Sequence, residues 1–240
     1  MPWQPVNVIA LLAFGAVLLL GAVFVWVLLR RNERRQVRQV ALALAGWVAT
    51  YLALVLVVSG RSRETILPLG QVKRFCGFYL DCHLGVRVFG VEQAQSVGSG
   101  DGLREARGTF YVVTVLVESN AVRATLRLHA PDARVITDGV STYPRDAAAE
   151  AALARDTSLS DPVEAGDQHP VTMVFDVPRD ATNPRLLVTE GRGLWPHRLL
   201  ELILVGDDDS MFHRKTVLAL TSGGSTQLSA PRLPRGATSP

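Results

Sequence analysis

Two long hydrophobic runs dominate the first sixty residues, and beyond them polar and apolar positions take turns. Residues 8–29 are Leu, Val, Ala, Phe and Gly almost throughout, with Trp26 near one end and no charge. Residues 40–58 form a second run without charge. About 20 apolar residues rising 1.5 Å each cross a hydrocarbon core of about 30 Å, whereas a helix on a soluble domain keeps a polar face. The pattern predicts two transmembrane helices, at about 8–29 and 38–58, within a membrane region 1–59. A cleaved signal peptide fits the first run less well. Residues 1–7 carry no Lys or Arg, and the run leads into Arg30 and Arg31.

Downstream the period changes to two. Leu84, Val86 and Val88 alternate with Gly85, Arg87 and Phe89, and Leu126 and Leu128 with Arg127 and His129. Val171, Met173, Phe175 and Val177 alternate with Thr172, Val174 and Asp176. Residues 110–117 are apolar on both sides, as in a central strand, and further strands are expected at 185–189, 199–205 and 215–220. Turn residues punctuate them at Gly98 to Gly102, Pro131 with Asp132, Asp138 with Gly139, and Asp207 to Asp209. The Ala-rich stretch 146–155 predicts a short helix in a connection. The expected fold is a two-helix transmembrane hairpin followed by an immunoglobulin-like β-sandwich. Its parts are a linker at 60–74, the sandwich at 75–220 and a disordered Gly/Ser/Pro/Thr tail at 221–240.

Charge adds orientation. The sequence pI is about 9.2 although the net charge is only +3, and five arginines, Arg30, Arg31, Arg34, Arg35 and Arg38, cluster in and beside the loop 30–37. Short basic loops stay in the cytoplasm, so both chain ends are expected outside. The same arginines are candidates for binding anionic lipid headgroups. No basic and aromatic residues interleave as on a single-strand nucleic-acid face, so the expected partners are membrane lipids and a protein or envelope component. Ala41, Ala45, Ala49 and Ala53 recur every fourth residue and form a small-residue face suited to helix packing. The first span is its expected partner, and a second copy of the chain the alternative.

Cys76 and Cys82, the only cysteines, fall outside the membrane in this topology. That compartment favours a disulfide between them; a redox pair, or a metal site with His83, is the alternative. Asp207, Asp208 and Asp209 form either a solvated acidic turn or a cation site. The twelve-residue calcium loop would need Gly where Phe212 stands. Trp195 and His197 are candidates for a binding surface. Gly98 to Gly102 lacks the Lys-Ser/Thr of a phosphate loop, and no Gly-x-Ser-x-Gly elbow occurs. No cofactor or resident metal is expected, and the expected role is non-enzymatic.

A stretch of the outer part resembles a known family. Residues 110–120 (FYVVTVLVESN), 138–143 (DGVSTY), 164–166 (EAG) and 174–178 (VFDVP) follow the order of a telokin-like, immunoglobulin-like domain family of bacterial surface and secreted proteins. The resemblance covers about 108–190. It implies a sandwich of undefined function in a bacterial protein and carries no catalytic residue; with the two spans, the expected location is the bacterial cytoplasmic membrane. The function expected is that of a membrane-anchored extracytoplasmic binding module, the alternative being an assembly subunit acting through its transmembrane helices.

Two readouts test this orientation. A cysteine label near Glu33 should be inaccessible from outside intact cells, and Cys76 and Cys82 should resist alkylation until reductant is added. External labelling near Glu33 together with two reactive native thiols would reverse the topology.

Overall fold

The structure, a computed structural model, describes residues 4–75, 82–138, 141–153, 157–190 and 212–221, together with Ile203, Val205 and Asp208; side chains are described from Ile9 onward. Helices α1 (Gln4–Arg30) and α2 (Arg34–Arg61) form a hairpin. At 27 and 28 residues each is about 40 Å long. The turn between them is only three residues, with Asn32 in the left-handed region at φ 59°. Arg34, Arg35 and Arg38 thus belong to the start of α2 instead of a longer loop. Cations at a helix N-terminus oppose the macrodipole, so their placement serves the loop's charge and not the helix. Arg30, at the favourable C-terminal end of α1, lies 3.8 Å over the Trp26 ring.

Only 17% and 11% of the apolar stretches in α1 and α2 are buried within the chain. Ile9, Leu12, Leu19, Leu20, Leu42 and Leu54 stand exposed. These are not the core helices of a soluble domain; both are long and apolar enough to cross a membrane.

The hairpin seam differs from the expected one. Ala41, Ala45, Ala49 and Ala53 are all exposed, so the alanine face points away from α1. Instead Tyr51 and Val55, with half-buried Val48, pack against Leu11, Phe14 and Leu18. Phe14 stacks on Tyr51 at 4.1 Å between ring centroids. One small residue does allow close approach, but on α1: a Cβ at Gly21 would lie 2.5 Å from Leu44 Cδ2. Aromatic surface gains more dispersion contact than methyl groups do, which explains why the larger side chains hold the seam.

The outer part is a sandwich of two sheets. Strands β1 (Thr65–Leu67), β9 (Thr216–Ala219), β8 (Arg185–Thr189), β5 (Asp132–Ile136) and β6 (Thr142–Pro144) form one sheet in that order. Strands β2 (Lys73–Phe75), β3 (Leu84–Val97), β4 (Arg104–Ser119) and β7 (Gln168–Val177) form the other. Among the described residues every pairing of these strands is antiparallel except β1 with β9. The alternating positions read from the sequence meet in the middle: Val86 and Val88, Val113, Val115 and Val117, and Val171, Met173, Phe175 and Val177 are all core. They pack with Val135, Leu186, Val188 and Leu218 of the facing sheet.

Strand β4 is central, as its two-sided apolarity implied. Its other face buries Phe110 with Val97, Val174 and Ala149 of helix α3 (Ala147–Ala152). That helix also closes part of the β7 edge. Asp146 caps it by accepting from Ala149 N–H at 2.9 Å and donates its own N–H to the Val174 carbonyl at 2.8 Å. Glu150 accepts from Val174 N–H at 3.1 Å, and Pro170 has no donor to offer. A pairing edge is thereby blunted.

Three expectations need correction. The stretch 60–74, expected as linker, contains β1 and β2, leaving three residues between α2 and β1. Leu126 and Leu128 do not form a strand: Leu126 makes a single bridge to Val163, and His129 N–H goes to Glu190. Ala130 at φ 42° followed by Pro131 ends the run. Of the expected strand 199–205, Ile203 and Val205 lie in turns and pack on the hairpin, not in a sheet; residues 199–202 and 204 and the tail from 222 lie outside the described residues. The Gly98 to Gly102 run is the β3–β4 turn, with Gly98 at φ 83°.

This seam makes two substitutions diverge. Gly21→Leu should lower the apparent melting temperature in detergent, because its side chain would enter the space of Leu44. Ala45→Leu with Ala49→Leu should leave the monomeric hairpin's melting unchanged. Equal loss from both would contradict the packing.

Candidate functional site

Two places concentrate polar chemistry, and the first lies where the sandwich meets the hairpin. Ser62 ends α2, donating its hydroxyl to the Ser59 carbonyl at 2.6 Å and accepting from Arg214 N–H at 2.8 Å. Arg185 then bridges Glu64 at 2.9 Å and Asp138 at 3.0 Å. Below them Lys73, only 5% exposed, pairs with Asp208 at 2.9 Å and donates to the Thr216 carbonyl at 2.9 Å. Asp208 also accepts from Thr216 N–H at 2.7 Å, and its carbonyl accepts from Lys215. Burial pushes the Asp208 carboxyl up. The Lys73 charge, with hydrogen bonds from Lys73 and Thr216, outweighs that and holds it below the usual carboxylate range. The arrangement is a structural staple: both Asp208 carboxylate oxygens are already engaged.

The second place is an open cleft at the other end of the sheet. Gly108 of β4 lies nine residues from Val117, which shares the Lys73 level through β3, so the cleft begins about 30 Å along β4 from the junction. The cleft is lined by Arg107, Gly108, Tyr143, Arg145, Asp176 and Arg179 among others. Asp176 accepts from the N–H groups of Arg107 and Gly108 at 3.0 and 2.9 Å, pinning the start of β4. A Cβ at Gly108 would fall 2.2 Å from the Val177 carbonyl oxygen, so a side chain there would break this wall. Arg179 donates to the Gly108 carbonyl at 3.2 Å. Arg145 holds Glu150 with two bonds of 2.8 and 2.7 Å. Arg107 is 98% exposed and reaches Asp176 only at 4.0 Å. The cleft therefore offers one guanidinium to solvent and two fixed ones beside a half-buried tyrosine. Such a set can donate hydrogen bonds to carboxylate or other oxygen-rich groups.

Of the residues singled out in the sequence, Asp208 enters the ion pair with Lys73, while Asp207 and Asp209 lie outside the described residues. Trp195, His197 and Cys76 also lie outside them. Cys82 is described and is not free. Its neighbour His83 meets the Asn120 side chain at 2.7 Å. Among the described residues no three His, Cys, Asp or Glu side chains gather as a metal would need. Sequence reading missed Lys73 and the cleft arginines. A lysine next to an arginine carries no mark that it is the buried one, and the cleft is assembled from β4, β7 and the β6–α3 connection.

No family model matches the chain, and no curated protein does. Three solved structures are similar in fold. A conserved hypothetical protein from Bacillus anthracis is 15% identical, with 44% of this chain and 82% of that one covered and a TM-score of 0.37. The secreted protein MPT63 from Mycobacterium tuberculosis is 19% identical, with 55% and 92% covered and a TM-score of 0.38. An uncharacterized β-sandwich protein from Clostridium difficile 630 is 9% identical, with 67% and 97% covered and a TM-score of 0.38. At these values the likeness says nothing of what this chain does.

The staple has a pH signature. Because Asp208 titrates lower folded than unfolded, its contribution is complete above the ordinary carboxylate range and is lost as pH falls through the lowered value. The apparent melting temperature of the full chain in detergent should fall on acidification below about pH 4. Asp208→Asn should cost about 1.5–3 kcal/mol at neutral pH and flatten that acid limb. An acid limb identical in the variant would remove Asp208 from the account.

Proposed function

We propose that the chain is a membrane-anchored extracytoplasmic binding module without catalytic activity of its own, whose cleft takes a protein or envelope component. The observation that carries this reading is the pairing of a stapled mount with a cleft at the far end of the sheet. Three residues separate α2 from β1, and Ser62, Glu64 and Lys73 are each tied to residues 138–216. A sandwich so held cannot swing freely, and its guanidinium-lined cleft is presented away from the hairpin. The hairpin crosses a bacterial cytoplasmic membrane with the arginine-rich turn inside and both chain ends outside. The sandwich is of the telokin-like kind, supported by the long β4 strand over FYVVTVLVES and the VFDVP ending of β7. Cys76 and Cys82 form a disulfide at the β2–β3 connection, a reading supported by Cys82 not being free.

A second reading is an assembly subunit acting through its helices. It is favoured by the exposed Ala41, Ala45, Ala49 and Ala53, which α1 leaves uncovered.

The two readings separate by cross-linking in intact cells. A photoreactive residue replacing Arg107 should yield a discrete adduct that a control at Arg134 does not, and Arg179→Ala should weaken it severalfold. Adducts only from positions on the alanine face, such as Ala49, would favour the assembly role and sink the cleft.

A further inference from the structure

The seat of Ile203 and Val205 is not explained by the sandwich. Both pack against Leu11, Phe14, Tyr51 and Val55 of the hairpin, and the Tyr51 hydroxyl donates to the Ile203 carbonyl at 3.0 Å. Tyr51 lies ten residues before Arg61, the end of α2, which is about 15 Å of helix. Ile203 therefore sits well down the side of the hairpin.

That depth is hydrocarbon. Positions 39–60 of α2 carry no charge, about 33 Å of helix. A core of about 30 Å uses nearly all of it, so Tyr51 cannot stand clear of the membrane. Its neighbours agree: Leu52, Leu54, Leu56 and Val57 on α2 remain 43–50% exposed, and Ile9 and Leu12 on α1 exceed 60%. Only lipid can cover these side chains while Ile203 and Val205 occupy the seam beside them.

We infer that the turn carrying Ile203 and Val205 is a third membrane-embedded part of the chain, seated in the outer half of the bilayer and keyed there by the Tyr51 hydroxyl. The inference rests on the proposed crossing of the hairpin. Residues 202–205 read Leu-Ile-Leu-Val, a sequence suited to lipid. Irregular backbone at this depth persists only where its polar groups find partners in protein. Tyr51 supplies a donor to one such carbonyl, and Phe14, stacked on its ring at 4.1 Å, holds the phenol in place. The other end of the segment is fixed outside, since Asp208 is bound to Lys73 and Thr216. Asp208 lies five positions beyond Ile203, a reach of about 17 Å, enough to cover the 15 Å of descent. The segment thus couples the sandwich to the hairpin at two heights.

The test uses the full chain in phosphatidylcholine/phosphatidylglycerol liposomes with one nitroxide at Val205→Cys, Leu52→Cys or Val122→Cys, the unsubstituted chain serving as labelling blank. Val205 should resemble Leu52, relaxed by lipid-soluble oxygen and shielded from a water-soluble nickel complex, and unlike Val122 on the sandwich. Tyr51→Phe should lower the oxygen-to-nickel ratio at Val205 severalfold and leave Leu52 unchanged. Nickel access at Val205 equal to that at Val122, with Leu52 shielded, would overturn the inference alone. Nickel access at Leu52 as well would overturn the membrane crossing with it. An unchanged ratio in Tyr51→Phe would remove the tyrosine's keying role.

Discussion

Much of the architecture depends on one short parallel pairing, Thr65–Leu67 against Thr216–Leu218. It begins three residues after α2 ends, so the chain enters the sandwich and completes it at the same place. Parallel neighbours need a long crossover between them, and here the crossover is nearly the whole outer domain. Everything from β2 to β8 is therefore a closed excursion that starts and finishes at the hairpin. The Lys73 ammonium, bonded to the Thr216 carbonyl and to Asp208, ties the second sheet to this same point. A buried charge of this kind is tolerated because its partners satisfy it, and its removal would loosen the place where both sheets and the helix end converge.

The outer domain divides its polar groups according to distance from that point. Near the hairpin, arginine, lysine and aspartate side chains are spent on one another: Arg185 on Glu64 and Asp138, Lys73 on Asp208. At the far end of β4, Arg107 is left in water while Arg145 and Arg179 are fixed beside it. Side chains locked before a ligand arrives lose less entropy on binding. The same wall is closed to strand addition over part of its length, because α3 and Glu150 occupy the Val174 edge. A ligand would meet side chains there, not an open strand.

Much of this was legible in the chain itself. Two charge-free runs of about 20 residues mark helices long and apolar enough to cross a membrane, because a helix on a soluble surface keeps a polar face. The period-two stretches at 84–88 and 171–177 became β3 and β7 with the expected faces buried, although Thr172 and Val174 on the other face of β7 are buried too. Asp146 and the alanines after it announced α3, since capping and helix propensity are local properties.

Tertiary structure decided what local pattern leaves open. The four-residue recurrence of alanine describes a smooth face but not which helix covers it, and Phe14 with Tyr51 took the seam instead. Residues 202–205 look like part of a strand, yet Ile203 and Val205 lie on the hairpin, because an apolar run is equally served by a sheet or by a greasy groove. Tyr51 did carry a signal, a hydroxyl within a long apolar helix, but its acceptor lies 152 residues away. Lys73 with Asp208, and the cleft between β4, β7 and the β6–α3 connection, are likewise meetings of distant segments. Short-range periodicity reports which face is buried; only the folded chain determines what it is buried against.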